Sequence, residues 1–257
     1  MELLIVCIAA LLASALTLFS GFGLGTLLMP VVALFFPLEL AIAMTAIVHL
    51  ANNLFKIGVL GRKADHPVLL KFGLPAIAAA FVGAALLLYL GEAEPIYEYE
   101  AFGSNQQVSL LKFVIGTLIV LFVVLELSPT FSKAALDRKW LPLGGVISGF
   151  FGGLSGHQGA FRSMFLIRAG LEKEAFVATG VVLAVMVDIA RMVIYGADIL
   201  SQSDAVKWTL VIGACISAFA GAYVGAKVLK KVTFRSVQLI VSALLIVVGV
   251  GLIAGVL

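Results

Sequence analysis

An uncharged tract that is too long for one membrane helix dominates the start of this sequence. No Asp, Glu, Lys or Arg occurs from Leu3 to Leu38. A single α-helix of that length would extend about 54 Å, at about 1.5 Å per residue. The hydrocarbon core of a bilayer is only about 30 Å thick. The helix must therefore break, and Gly21, Gly23 and Gly25 mark the place, because glycine is a poor helix former.

The rest of the chain has the composition of a polytopic helical membrane protein. Of its 257 residues, 62% are hydrophobic and 12% are charged, and the mean hydropathy is +1.17. Soluble domains carry about 25% charged residues, and β-barrel strands alternate apolar with polar residues, so both classes are excluded. Hydropathy and charge predict apolar segments at residues 3–20, 23–36, 39–59, 68–90, 108–127, 140–156, 158–170, 174–196, 206–227 and 234–256.

A second glycine-rich break lies between two segments that are short for full membrane spans, 140–156 and 158–170. It resembles the first break: Ser20-Gly21 with Met29 matches Ser155-Gly156 with Met164, at a constant offset of 135 residues. The same offset pairs Asn53 with Asp188, and Lys56 with Arg191. We therefore predict an all-α polytopic fold of two repeats, residues 1–127 and 139–257, joined by a cytoplasmic linker at 128–138. Each repeat has about five helical segments, with interrupted or half-length helices at the midplane.

The distribution of charge predicts that the two repeats are inverted. Loop 60–71 is basic, whereas its counterpart 197–205 holds only Asp198 and Asp204 as charged residues. Loop 91–107 is acidic, whereas its counterpart 227–235 is basic. Cytoplasmic loops are enriched in Lys and Arg. Cytoplasmic loops at 60–71, 128–139, 168–174 and 227–235 would hold 13 of the 17 basic residues, counting Lys56. Both termini then lie outside.

Inverted repeats with interrupted helices indicate a secondary transporter that binds its substrate near the midplane. A helix that begins inside the bilayer presents unpaired N–H groups and a positive dipole end, which suit an anion's oxygens. We therefore predict one anion held between two half-helix starts. The candidate substrate-binding residues are Ser20, Gly21, Gly23, Gly25, Thr26, Ser155, Gly156, His157, Gln158, Gly159 and Arg162.

Arg162 has two interpretations. An arginine at membrane depth needs an anionic partner, and its planar fork suits carboxylate, sulfite or sulfonate groups. The substrate is one such partner. The alternatives are a structural salt bridge with Asp188, or a side chain that extends to the cytoplasmic face.

A second polar set follows the two breaks and predicts residues that line the cavity or couple transport to an ion. These candidates are His49, Asn52, Asn53, Asp188 and Arg191, with Lys56 on the same helical face as the first three. Asp188 or His49 would carry a proton in one interpretation. In the other, Asp188 and Arg191 neutralise each other at i, i+3. Asn52 and Asn53 would satisfy backbone groups or bind a cation.

The chain resembles the TauE/SafE family of sulfite and sulfonate exporters. The residues that carry the resemblance are the two glycine-rich stretches, Ser20 to Pro30 and Gly152 to Gly159, and the duplicated layout extends it over nearly the whole chain. The resemblance implies a permease of the bacterial inner membrane for small sulfur-containing or carboxylated anions.

The function predicted from sequence is a secondary transporter that exports sulfite or an organosulfonate such as sulfoacetate, with proton coupling as an open possibility. The alternative is a passive anion channel, or an importer of small carboxylates or thiosulfate-like anions. We expect no catalytic residues, metal, cofactor or nucleic-acid partner. His49, His66, His157 and the two cysteines are too dispersed for an enzyme's reactive set. The anion and the oligomeric state stay open.

Overall fold

The computed structural model of the chain describes residues 1–17, 23–60, 63–101, 103–128, 130, 136–201, 206–228 and 234–257. These residues form a bundle of ten helices and one β-hairpin. The helices are α1 Glu2–Thr17, α2 Leu24–Ala33, α3 Leu38–Leu60, α4 His66–Gly91, α5 Leu110–Leu127, α6 Leu141–Ser155, α7 Gly159–Leu166, α8 Lys173–Ser201, α9 Trp208–Val228 and α10 Phe234–Ile253. A π-helical turn at Leu69–Gly73 interrupts α4, and a 3₁₀ turn at Arg138–Trp140 precedes α6.

The predicted polytopic helical membrane protein is confirmed. Five helices of the described chain, α3, α4, α5, α8 and α9, are long and apolar enough to cross a bilayer. Their outer faces carry exposed apolar residues such as Val82, Val193 and Ile212, which suit contact with lipid. By contrast, α2 and α7 contain only 10 and 8 residues. At about 1.5 Å per residue each reaches roughly half-way through the hydrocarbon core.

The acidic segment between α4 and α5 departs from the all-α prediction, because it folds as a β-hairpin. Strands β1 Pro95–Ala101 and β2 Ser104–Ser109 pair antiparallel around Gly103, whose φ is +76°. The run Tyr97-Glu98-Tyr99-Glu100 alternates with a period of two, which is a strand pattern. The Tyr97 and Tyr99 rings stack with centroids 6.0 Å apart, and the Tyr99 hydroxyl donates to the Ala254 carbonyl. The acidic loop predicted from sequence at 91–107 therefore forms a β-hairpin.

The helices of the first half of the chain pack mainly against helices of the second half. Helix α1 packs against α9, and α4 packs against α6; α3 lies against α8, and α5 against α10. Small residues allow these close contacts. Gly221 and Gly225 of α9 lie against the backbone of Leu11 and Ala15 in α1, and Gly83 of α4 lies against the Phe150 carbonyl. Gly221, Gly225 and Gly83 therefore lie in small-residue seams between packed helices.

The α4–α6 seam supplies a test of the packing. A side chain at Gly149 would collide with the backbone of Ala76, whereas a side chain at Gly58 has no other atom within 4 Å. We expect Gly149→Val to lower the free energy of unfolding by about 1–3 kcal/mol, as overpacking of a dense interior does. Gly58→Val is the matched control and should change it far less. Thermal unfolding of the two variants in detergent measures the difference, and equal melting temperatures would contradict the seam.

Contacts among loops define the two ends of the bundle. At one end Lys63 pairs with Glu174, the Asp65 amide donates to the Thr179 hydroxyl at 2.9 Å, and Arg138 lies 3.9 Å from Asp65. We call this the basic end, comprising residues 63–65, 136–140 and 167–173. The opposite end, here the hairpin end, comprises β1, β2, residues 34–37 and 206–208, and the two chain termini. There Lys207 lies 2.7 Å from Glu2.

Candidate functional site

The second glycine-rich break has a defined backbone geometry. Helix α6 ends at Ser155, and Gly156 adopts φ +79° and ψ 0°, a left-handed conformation that glycine accepts without steric penalty. The Gly156 amide donates to the Gly152 carbonyl at 3.1 Å. Helix α7 then begins at Gly159, and the Arg162 amide donates to the Gln158 carbonyl at 3.1 Å. The predicted interruption between segments 140–156 and 158–170 is confirmed.

The first half-helix begins in a similar way. Gly23 is extended, at φ −77° and ψ 148°, and α2 follows from Leu24 with nearly all its residues buried. Among the described residues, the side chain at neither N-cap position, Gly23 before α2 and Gln158 before α7, forms a capping hydrogen bond. The first turn of any helix leaves N–H groups without helical acceptors and carries a partial positive charge. Two such buried starts are present here. Ser20 and Gly21 of the predicted site lie outside the described residues.

The two helix starts face one another across a small chamber. A Cβ atom on Gly25 would lie 3.7 Å from the Gly156 carbonyl oxygen, so α2 and the second break are in close contact. The chamber leaves about 10 Å³ for the centre of a water molecule, which is room for roughly one water. Its lining residues are Gly23, Thr26, Phe122, Glu126, His157, Gly159, Ala160 and Phe161.

Aromatic rings close one side of this chamber. The Phe122 ring lies 5.3 Å from the His157 ring and 5.4 Å from the Phe161 ring, centroid to centroid, and Phe161 stacks on Phe151 at 5.3 Å. Such a wall excludes water, which strengthens electrostatic interactions inside the chamber. The space is smaller than an ion of four heavy atoms needs. Occupation by sulfite would therefore require the two helix starts to move apart.

His157 presents an unpartnered ring nitrogen to the chamber. The residue is 5% exposed, and its Nδ1–H donates to the Ser155 carbonyl at 3.0 Å. The opposite nitrogen, Nε2, is buried and has no hydrogen-bond partner in the described chain. In this tautomer Nε2 accepts a hydrogen bond when the ring is neutral and donates one when the ring is protonated. Ser155 itself donates to the Phe151 carbonyl at 3.1 Å, so its hydroxyl hydrogen already has an acceptor.

Asp188 of α8 lies at the centre of a buried polar cluster next to the chamber. His49 Nδ1–H donates to Asp188 Oδ2 at 2.6 Å, and Arg191 Nε donates to Oδ1 at 3.1 Å. Arg191 Nη2 is 2.8 Å from Oδ1, an ion-pair distance without hydrogen-bond angles. Weaker bonds at 3.4 Å come from Asn53 and Gln158. Asp188 thus pairs with Arg191, as the neutralising interpretation predicts, and also with His49.

Further polar groups extend this cluster along α3. The Ser14 hydroxyl donates to Asn52 Oδ1 at 3.2 Å, but Asn52 Nδ2 and the Thr45 hydroxyl are buried without a partner among the residues described. A Cβ atom on Gly23 would lie 3.9 Å from His49 Nε2. The His49 ring therefore connects Asp188 with the start of α2.

Comparison with known proteins identifies the family. The model of the sulfite exporter TauE/SafE family matches residues 6–252, which include both helix starts and the Asp188 cluster. The chain belongs to the TauE/SafE family. It is accordingly a membrane transporter of a family that handles sulfur-containing anions, and TauE/SafE is not an enzyme family. Searches of curated proteins and of solved structures found no match. The family predicted from the sequence is confirmed.

In this TauE/SafE chain Gln158 links the chamber to the Asp188 cluster, instead of offering its amide to the chamber. Its Nε2 donates to Asp188, its Oε1 accepts from Arg162 Nη1 at 3.3 Å, and its carbonyl accepts from the Ser148 hydroxyl at 3.0 Å. Arg162 forms no ion pair with Asp188 within the described residues. The predicted alternative of an Arg162–Asp188 salt bridge is therefore not the arrangement found.

Sequence reasoning missed four lining residues of this TauE/SafE chamber, Phe122 and Glu126 of α5 and Ala160 and Phe161 of α7. The available signal was Glu126, the one carboxylate inside the apolar span Leu110–Leu127. A carboxylate within such a span is a candidate functional residue. Phe122 carried no such signal, because phenylalanines are common throughout the apolar segments.

Proposed function

We propose that the chain exports a small sulfur oxyanion, sulfite or an organosulfonate such as sulfoacetate, bound between the starts of α2 and α7. The observation that carries the proposal is the pair of uncapped helix starts that face one buried chamber beside His157. Backbone N–H groups at a helix start, with the positive end of the helix dipole, bind oxyanions. The Thr26 hydroxyl lines the same chamber and extends this donor set. Arg162, one turn into α7, lies outside the lining and would reach the anion once the helix starts move apart.

The proposed fold is a pair of inverted repeats, 1–127 and 139–257, with the linker at 128–138. If the two repeats are equivalent, α1 corresponds to α6 and α9 corresponds to α4. The extensive α1–α9 contact then corresponds to the α4–α6 contact, which is also extensive. Asn53 and Asp188, which the sequence offset makes equivalent, meet at 3.4 Å. Equivalent residues meet in this way next to a two-fold axis, so the contact supports an axis between α3 and α8. Such an axis would bring the two half-helices to one site from opposite sides.

The proposed orientation places the basic end in the cytoplasm of a bacterial cell, with both termini outside the inner membrane. Three of the four loops assigned to the cytoplasm from their charge have residues at this end. A membrane potential that is negative inside favours the exit of an anion, by about 2.3 kcal/mol per charge per 100 mV. Export therefore follows the electrical gradient.

His157 suggests how protons take part. Its Nδ1–H is engaged by Ser155, so the neutral ring offers only the Nε2 lone pair to the chamber. This lone pair accepts a hydrogen bond from the hydroxyl of hydrogensulfite, whereas a fully ionised anion requires the ring to be protonated. In either case one proton enters the site with the anion. The adjacent His49–Asp188 pair, at 2.6 Å, is a second proton-carrying candidate.

The small volume of the chamber favours a carrier over a channel. A channel needs a continuous hydrated path in one conformation, whereas this chamber accommodates roughly one water. In such a carrier the anion is enclosed after the site closes to one side of the membrane and before it opens to the other, as alternating access requires.

The test is flux in proteoliposomes with sulfite, sulfoacetate, taurine and simple carboxylates as substrates. We expect saturable counterflow for sulfite and sulfoacetate, and little for taurine, which has no net charge. Arg162→Gln should weaken the apparent affinity for sulfite about tenfold or more, because it removes a charge-assisted hydrogen bond.

Arg168→Gln is the matched control for that experiment, since Arg168 is exposed and pairs with Asp137 at 3.6 Å. It should leave the affinity near the wild-type value. Transport of carboxylates alone would contradict the substrate class. An unchanged affinity in Arg162→Gln would remove Arg162 from the site.

A further inference from the structure

Glu126 is the one carboxylate among the described residues that line the chamber between the two helix starts. The residue is half-buried in the last turn of α5, one helical turn after Phe122 of the aromatic wall. Residues at i and i+4 share a helix face, so both side chains face the same space. Because α5 runs from the β-hairpin toward residues 136–140, the carboxylate lies between the Phe122 ring and the basic end.

Helix α5 itself does not stabilise a negative charge at Glu126. The last turn of a helix carries a partial negative charge, which favours cations and disfavours carboxylates. The single cation of this apolar span is Lys112, which is about 21 Å away along the helix axis. A carboxylate retained in such a position indicates a function.

His157 is the other titratable residue of the chamber lining. Its buried Nε2 has no hydrogen-bond partner in the described chain. Two cations lie just beyond the lining and have other partners: Arg191 pairs with Asp188, and Arg162 binds the amide oxygen of Gln158. The chamber therefore combines one carboxylate with a ring nitrogen and two electropositive helix starts.

The elements packed against α5 bring no described charge to Glu126. Helix α10 has no charged residue from Leu239 to Ile253, and strand β2 has none. Helix α4 carries His66 and Lys71 near its start, and both are exposed. Arg235, at the start of α10, has a side chain outside the described residues. Within the described chain, the chamber lining supplies the electrostatic environment of this carboxylate.

The chamber is too small to hold an anion beside an ionised carboxylate. It has room for roughly one water, and its aromatic wall excludes the solvent that would screen the two charges. Two negative charges in such a site repel each other strongly, and a proton normally neutralises one of them. The ionised carboxylate and the anion therefore exclude each other from one electropositive space.

We propose that Glu126 is an internal competitor of the transported anion: its ionised carboxylate occupies the positive field of the helix starts, and its protonated form admits the anion. This inference rests on the proposed function and deepens it by naming how the same site is regulated. The protonated carboxyl also offers an O–H donor to the anion. Anion affinity is then highest in acid and falls as the pH rises. Protonation of His157 acts in the same direction.

The test is the pH dependence of the apparent affinity for sulfoacetate in proteoliposome counterflow. Sulfoacetate keeps the same charge from about pH 6 to about pH 9, so a change in affinity reports the protein. Glu126→Gln has the shape of the protonated side chain and cannot ionise. At the alkaline end we expect it to bind sulfoacetate at least about tenfold more tightly than the wild type does. The difference should shrink toward the acidic end.

Two further variants separate the charge of Glu126 from its shape. Glu126→Asp keeps the charge and should keep the loss of affinity in alkali. Glu172→Gln is the matched control, because Glu172 is exposed at the basic end and the substitution changes the net charge equally. It should leave the affinity unchanged at every pH. Equal tightening in Glu126→Asp and Glu126→Gln would overturn the inference, since packing and not charge would then be the cause.

An unchanged or weaker affinity of Glu126→Gln in alkali would also overturn the inference, and transport by the wild type would leave the proposed function intact. A wild-type protein that moves no sulfur anion would overturn the proposed function and this inference with it. If Glu126→Gln transports nothing, thermal unfolding in detergent replaces flux as the readout. Sulfoacetate should then raise its melting temperature in alkali more than that of the wild type. An equal or smaller rise would exclude Glu126 as a competitor.

Discussion

Replacement of Asp188 by Asn is expected to abolish flux driven by a pH gradient and to destabilise the protein. Asp188 is fully buried, and its carboxylate binds His49 at 2.6 Å and Arg191 at 3.1 Å. The amide keeps the shape of the side chain but leaves Arg191 without a counter-ion in the protein interior. Loss of one partner from a buried ion pair lowers stability by about 3–5 kcal/mol.

Three measurements separate the two roles of Asp188. Net flux under a pH gradient should fall at least about tenfold, whereas anion exchange, which needs no net proton transfer, should persist. Thermal unfolding reports the structural role. The double variant Asp188→Asn/Arg191→Leu should recover part of the stability, since it removes the charge left unpaired. Wild-type gradient-driven flux with an unchanged pH profile in Asp188→Asn would exclude Asp188 from coupling.

The break at Gly156 could be predicted from sequence because its causes are local. Glycine is needed where φ is +79°, and the following Gly159 starts a helix of only 8 residues. The ten apolar segments were predictable for the same reason. Each predicted segment has a helix of the described chain at its place, with ends that differ by a few residues. Hydropathy determines where a helix crosses the bilayer, whereas capping and turn geometry determine its last residues.

Contacts between distant segments could not be predicted. The sequence placed His49 and Asp188 in equivalent regions of two repeats, but their 2.6 Å contact depends on how α3 crosses α8. The β-hairpin was missed for another reason. Its four glutamates gave residues 91–107 the composition of a solvated loop, and this obscured the two-residue alternation.

Gly156→Ala is expected to lower anion flux about tenfold or more, an effect that its backbone strain alone does not produce. An alanine at φ +79° is strained by about 1–2 kcal/mol. In addition, its Cβ would lie 3.0 Å from Arg191 Nη1, so the guanidinium would have to shift relative to Asp188. The same substitution disturbs the contact between Gly156 and the start of α2, where we propose that the anion binds.

Gly170→Ala isolates the contribution of strain. Gly170 has φ +76°, nearly the same conformation, but a Cβ atom there would have no other atom within 4 Å. Both variants should therefore lose about 1–2 kcal/mol of stability, which thermal unfolding in detergent measures. Only Gly156→Ala should lose flux in proteoliposomes. If the two variants transport sulfite equally well, the close approach of Gly156 to Arg191 is not needed for transport. The anion site would then have to lie away from the second break.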